Sequence, residues 1–446
     1  MSDGNDIREQ FFSTQGNIPY EQVLENVQSN LSICLSKNID DISEYELKDK
    51  ISKYITDYNV KCNFTNSVAV LTNHIYHDMA GHSFITREKI FDIPNFEELD
   101  INAWNDIDII IDGKRSKTDY SFINPQHAID IIQRMLRITN TVLDEAMPKA
   151  IADLGKNIRI AVLRTPLVDS DVGVVASIRK VSSRTISAKK LVEQGTVTQD
   201  ILDFLLLSML KGCSVCISGE TGSGKTTLGG YLLSAISQSL RTYTIEEGSR
   251  EWDFVCRNDD GKVLNSVVHT KTRPSDDPKL NIDQSLLLEM ALRFNPTVIG
   301  VGEMRSKEAY AATEAGRTGH TVVTTTHAGS AYAAPFRIME LCKKAFDFDD
   351  STLLSMICDA FPLQLYVEFL PNGSRCCTQV VEITGFIDNQ IQYNPIWEYE
   401  ITDNIVNEDG TVTVIGGFVK KNGISKKLQQ KLLKKGASRK DIERFI

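Results

Sequence analysis

Residues 214–230, SVCISGETGSGKTTLGG, constrain this chain more than any other stretch, because a short apolar run passes straight into a glycine-rich turn and then into helix formers. Gly219, Gly224, Lys225 and Thr226 occupy the fixed positions of a phosphate-binding loop, with Glu220, Thr221, Gly222, Ser223 and Thr227 completing it. A backbone that wraps phosphate with its N–H groups needs positive φ and no Cβ in the way, which is what glycine supplies. Lys225 is then expected to reach the β- and γ-phosphates, and Thr226 to offer its hydroxyl to Mg²⁺. The helix opening behind them turns its positive end toward the anion. A Gly/Ser-rich surface loop would not account for the β-branched residues before the turn or the helix formers after it. ATP with Mg²⁺ is the expected ligand.

A chain of 446 residues has room for two or three domains, each with its own core. Its net charge of −10 argues against a body that grips nucleic acid by its phosphates. The end of the chain departs from that balance, since from Lys420 onward only Asp441 and Glu443 oppose a run of lysines and arginines. The first residues carry Asp3, Asp6 and Glu9 and no apolar signal core, and the most apolar run, 201–210, is broken by Asp203. A cytoplasmic protein, at most peripheral to a membrane, is expected. The nine cysteines form no disulfide framework, and Cys213 and Cys216 read as core residues of the strand entering the loop.

Taken in order, residues 1–60 read as a helical adaptor, with Tyr20, Val23, Leu24 and Val27 and then Leu47, Ile51, Tyr54 and Ile55 at helical spacing. Residues 61–180 read as an α/β domain, with a strand at 107–111, a helix starting at Pro125, and two strands carrying Arg159, Arg164 and Arg179. Residues 181–197 read as a linker. Over 198–375 strands alternate with helices, the pattern of a parallel sheet that holds ligands at the carboxyl ends of its strands. Residues 376–446 read as a β/α extension with a hairpin turn at Asp388-Asn389 and a basic helical tail.

Phosphoryl transfer also needs a metal ligand, a group that positions water, and positive charge for the transition state. Three later stretches supply candidates. Residues 242–245 form a short β-rich run that ends in Glu246 and Glu247. Val298, Ile299 and Val301 form a buried strand that delivers Glu303, in a position to hold Mg²⁺ or polarise water, with Arg305 two residues on. The β-branched run 321–326 lies between His320 and His327, and His327 falls at its carboxyl end. A structural reading suits His320 better.

The order GETGSGKT, TIEE, VGEMR and TGHTVVTTTHAGSA resembles the traffic ATPases of type II and type IV secretion, conjugation and pilus assembly. The resemblance covers roughly residues 45–440 and is strongest to the tight-adherence (CpaF/TadA) branch and its conjugative relatives. It implies a RecA-like P-loop domain preceded by a smaller α/β N-terminal domain and followed by a short strand-plus-helix extension. It further implies that Lys225 and Thr226 are Walker A, Glu246 and Glu247 the Asp box, Glu303 Walker B and His327 the His box. By the same resemblance Arg159 and Arg179 contact the nucleotide phosphates, and the assembly is a homohexameric ring working with inner-membrane components of the machine. Two features depart from the family pattern: Glu247 stands where aspartate is usual, with one extra residue before Glu251, and Arg164 stands where an apolar residue is usual. Two other readings are a nucleotide-gated assembly subunit without turnover and a DNA-translocating ATPase.

Overall fold

In the computed structural model, the described residues are 17–34, 42–139, 141–155, 158–180, 186–248, 250–275 and 277–446. The first sixteen residues of the expected adaptor and residues 181–185 of the expected linker lie outside them. The chain divides into two units, residues 1–181 and 182–446.

The first unit opens with three helices, α1 (Tyr20–Cys34), α2 (Glu44–Asp57) and α3 (Val68–Met79). Their apolar stripes meet in one cluster that includes Val23, Val27, Leu47, Ile51, Ile55, Leu71 and Ile75. Helix α2 starts where it does because Ser43 and Glu46 form a reciprocal capping box. After the short α4 (Phe84–Arg87), six strands follow: β1 (Phe96–Ala103), β2 (Asp106–Ile111), β3 (Lys114–Lys117), β4 (Lys149–Asp153), β5 (Ile158–Arg164) and β6 (Val174–Lys180). They form an antiparallel sheet in the order β3-β2-β1-β6-β5-β4. The turn between β2 and β3 is Asp112-Gly113, both at positive φ as a two-residue hairpin requires.

Helix α5 (Pro125–Arg137) begins at Pro125 behind an Asn124 cap and buries Ile129, Ile132, Met135 and Leu136 against the sheet. Leu99, Ile101, Ile160 and Ile178 face that helix from the strands. Each such side chain contributes about 1.5–3 kcal/mol by burial. Because strand side chains alternate, packing Ile160 and Ile178 inward turns Arg159 and Arg179 to the other face.

The second unit is built on a nine-stranded sheet in the order β15-β14-β13-β12-β7-β11-β10-β8-β9. Strands β7 (Val215–Gly219), β8 (Thr242–Glu246), β9 (Val267–Lys271), β10 (Val298–Val301), β11 (Thr321–Thr326) and β12 (Leu363–Phe369) run parallel. Helices cover both faces, which is why these strands read as continuous apolar or β-branched runs rather than alternating ones. On one face α7 (Gln199–Leu210) and α8 (Lys225–Ser237) pack Phe204, Leu205, Leu228 and Leu232 against Val215 and Ile217. On the other, α9 (Gln284–Arg293), α10 (Glu308–Arg317), α11 (Ala334–Lys343) and α12 (Asp350–Ala360) pack Leu288, Ala312, Ile338 and Ile357 against Cys216, Ile245 and Ile299. Strand β7 is central, between β11 and β12, and all six parallel strands lie with their carboxyl ends at the edge where the glycine-rich turn opens.

The chain beyond β12 continues this sheet. Strands β13 (Arg375–Ile387), β14 (Gln390–Val406) and β15 (Val412–Lys420) add to it antiparallel. The β13–β14 turn is Asp388-Asn389, at φ 52° and 59°. Helices α13 (Lys426–Lys434) and α14 (Arg439–Glu443) then return Leu428, Leu432, Ile442 and Phe445 to the cluster that holds the P-loop strand. The buried Glu382 carboxylate anchors the start of α13 by accepting from the Ser425 amide at 2.9 Å. The lysines of the tail therefore decorate a packed helix. Helix α6 (Ala188–Glu193), capped by Ser187, lies within the segment expected as linker, and its Leu191 is buried in the same core.

Candidate nucleotide site

The glycine-rich turn has the backbone that the sequence calls for. Gly219 stands at φ +152°, and a Cβ there would lie 2.0 Å from the Val367 carbonyl oxygen of the neighbouring strand. Gly224 caps α8 at φ +99° with no side-chain cap, which leaves the first amides of the helix open to an anion. Lys225 is buried at the base of the turn, and its ammonium donates to the carbonyls of Gly219 (2.9 Å) and Glu220 (2.6 Å). Burial pulls the Lys225 pKa down, and the charge of Glu303 pushes the other way.

Glu303 follows β10 by two residues. His327, directly after β11, brings Nε2 to 3.0 Å from Glu303 Oε1. Arg305 holds the same carboxylate by both oxygens, at 2.8 and 3.0 Å, and also donates to Glu247 at 3.1 Å. Burial raises the Glu303 pKa, but the Arg305 hydrogen bond and the charges of Arg305, His327 and Lys225 outweigh it and hold the carboxyl below its usual range. Lys225, Glu247, Glu303, Arg305 and His327 thus form one charged cluster, assembled from three adjacent parallel strands and the turn.

Glu246 points elsewhere. It is 4% exposed, and its Oε1 accepts from the amides of Glu251 (2.7 Å) and Trp252 (3.0 Å), while Oε2 is buried without a hydrogen-bond partner among the described residues. Trp252 in turn lies against Gly229, Gly230 and Gly300, and its indole donates to the Thr226 carbonyl at 3.2 Å. The Glu246 side chain thereby braces the loop that packs on the P-loop helix. Burial pushes the Glu246 pKa up to about 8, against the pull of the two amides. Between its ordinary 4.5 and about 8, the folded chain keeps a proton that the unfolded chain has released. Stability therefore falls as pH rises through that window, by at most about 1.4 kcal/mol per pH unit. Glu246→Gln is expected to flatten this slope in urea unfolding at pH 5 and pH 8; an unchanged slope would show that the carboxyl is already ionised in the fold.

Residues 140–368, just over half of the chain, match the family described as Type II/IV secretion system protein. The chain belongs to that family. An uncharacterised protein of Methanocaldococcus jannaschii, MJ0781, is 25% identical over 280 residues, covering 61% of this chain and 37% of that protein. The conjugal transfer protein TrbB of Rhizobium radiobacter is 27% identical over 221 residues, 49% of this chain and 64% of its own length. The type IV secretion system protein PtlH of Bordetella pertussis is 36% identical over 141 residues, 31% of this chain and 40% of PtlH. The chain thus spans less than two thirds of the length of each of these relatives.

In this secretion-family chain two arginines of the first unit share one register. Arg159 of β5 stands directly opposite Arg179 of β6, flanked across the sheet by Asp153 and Glu98. Like charges directly opposite in an antiparallel pair cost stability, and the acidic neighbours Asp153 and Glu98 offset part of that cost here. Arg164 lies farther along β5, with Nε on the Thr165 carbonyl at 3.3 Å. His320 binds the Pro296 carbonyl through Nδ1 at 2.9 Å, the structural role its position suggests.

Two residues near the turn escaped the sequence reading. Trp252 was signalled only by Gly229-Gly230, a pair that weakens a helix unless something packs close. Arg375, on β13, donates from Nε to the Gly222 carbonyl at 2.9 Å, and nothing in its own neighbourhood marks it.

Proposed function

We propose that this chain is the ATP-hydrolysing motor subunit of a type IV or type II-like secretion, conjugation or pilus assembly machine. The observation that carries the reading is the cluster of Glu303, His327 and Lys225 at the mouth of a glycine-rich turn. The residues fit MgATP. The Lys225 ammonium rests on two carbonyls that a β/γ-phosphate can replace, and the open amides after Gly224 would receive an anion. Among the described residues no group of three or more His, Cys, Asp or Glu is gathered to cage a metal. That suits Mg²⁺, which takes much of its coordination from phosphate and water, with Thr226 and Glu303 as the protein's contribution. The bound ion would neutralise charge on the phosphates. Glu303 would orient and polarise the attacking water once its carboxylate leaves Arg305, and His327 would hold the Glu303 carboxylate.

Arg159 and Arg179 would supply transition-state charge, and their engagement with the phosphates would couple hydrolysis to closure of the two units. A homohexameric ring at the cytoplasmic face of the membrane is the assembly this reading implies; among the described residues no helix is long and apolar enough to cross a bilayer. The bidentate hold of Arg305 on Glu303 also suits the rival, a nucleotide-gated subunit without turnover. Phosphate release and MgATP binding by the purified chain separate them. Turnover lost together with binding in Lys225→Ala is expected; binding without phosphate release in the wild type would favour the rival, and no binding would end both readings.

A further inference from the structure

A cavity of about 290 Å³ opens beside the turn. Its walls include Gly224 and Thr227 of the turn, Leu191 and Gln194 of the segment around α6, and Ser374 and Arg375 at the start of β13; neither Glu303, His327 nor Lys225 lines it. In a phosphate loop the lysine marks the β/γ end and the backbone amides hold the α/β end. With Lys225 and Glu303 together at one end, the α-phosphate and whatever it carries must leave toward Gly224 and Thr227, into this cavity. The mixed lining of apolar and hydrogen-bonding side chains is that of a small-molecule pocket.

Arg375 is the cation of this cavity. Its Nε binds the Gly222 carbonyl at 2.9 Å, its guanidinium lies 5.5 Å from the Phe369 ring centre, and its Cδ sits 3.2 Å from where a Gly224 Cβ would be. Among the described residues no carboxylate pairs with it. A guanidinium anchored by one nitrogen to the turn keeps its other donors for an anion, and a planar fork is the group best matched to a phosphate.

We propose that this cavity receives the nucleoside of the bound nucleotide and that Arg375 is the ligand of its α-phosphate. The assignment rests on the reading of the chain as an ATP-binding motor. It predicts an effect on binding that is equal for di- and triphosphate, because the contact lies away from the γ-phosphate.

The test uses the full chain with MgATP, MgADP and magnesium tripolyphosphate as probes. Arg375→Gln is expected to weaken MgATP and MgADP alike by roughly tenfold or more, with KM raised and kcat within about twofold. Arg375→Lys recovers part of the loss, since it keeps the charge without the fork. Gln194→Trp, at an exposed wall of the cavity, shifts MgATP affinity by about fivefold or more and leaves tripolyphosphate unchanged, because only the nucleoside enters there. Wild-type affinities in Arg375→Gln, a loss confined to kcat, or equal effects of Gln194→Trp on tripolyphosphate would overturn the assignment. Should the wild type bind no MgATP in a Lys225-dependent manner, the motor reading itself fails, a result distinct from any of these.

Discussion

Arg179→Ala is expected to lower phosphate release by about 10³- to 10⁵-fold, the range seen when a transition-state arginine is removed, while MgATP binding to the P-loop survives. The side chain is exposed on the outer face of its strand, opposite the packed face that carries Ile178. Folding should therefore be unaffected, and a circular dichroism melt close to wild type is the control. Arg159 sits directly across from it, so Arg159→Ala is expected to act in the same direction, and the double substitution to add little to either single one. Two arginines serving one anion behave as a unit. Wild-type turnover in the double variant would remove the coupling between the two units from the proposal.

Glu303→Gln is expected to slow phosphate release by about 10²- to 10⁴-fold while MgATP remains bound. The amide keeps the shape of the carboxylate but cannot take a proton or carry the charge that orients water. It also breaks the bidentate ion pair with Arg305, leaving Glu247 as the charged partner of that guanidinium in this cluster. MgATP affinity should change by less than the turnover, because the turn and Lys225 are untouched. A nucleotide-trapped complex in Glu303→Gln, absent from Lys225→Ala, is the signature to look for by gel filtration with labelled ATP. Turnover within about threefold of wild type would assign water activation to another group.

Much of the site was legible before the fold was known because its parts lie at strand ends, where local sequence speaks. The run 214–219 announces a buried strand, Gly219 and Gly224 announce the turn, and Glu303 and His327 each follow a β-branched or apolar run whose carboxyl end must face the ligand side of a parallel sheet. The hairpin turns at Asp112-Gly113 and Asp388-Asn389, and the helix beginning at Pro125, were equally readable, since turn and cap preferences act over a few residues. Of the adjacent carboxylates, the departures from the family pattern at Glu247 favour Glu246 as the catalytic one, whereas in the structure Glu247 is the one that joins the Glu303 cluster. Strand alternation sends one inward to brace Trp252 and the other outward to Arg305, and only the packing decides which.

Sequence alone determined the phosphate-binding turn, the alternating α/β architecture around it and the kinship with secretion ATPases, since each depends on glycine, β-branched and apolar residues at short fixed spacing. The tertiary structure decided that the last three strands extend the same sheet, that Arg305 holds Glu303, and that Arg375 reaches Gly222 of the turn from 153 residues later. Those contacts join residues through sheet order and through-space charge, and neither leaves a periodic trace along the chain.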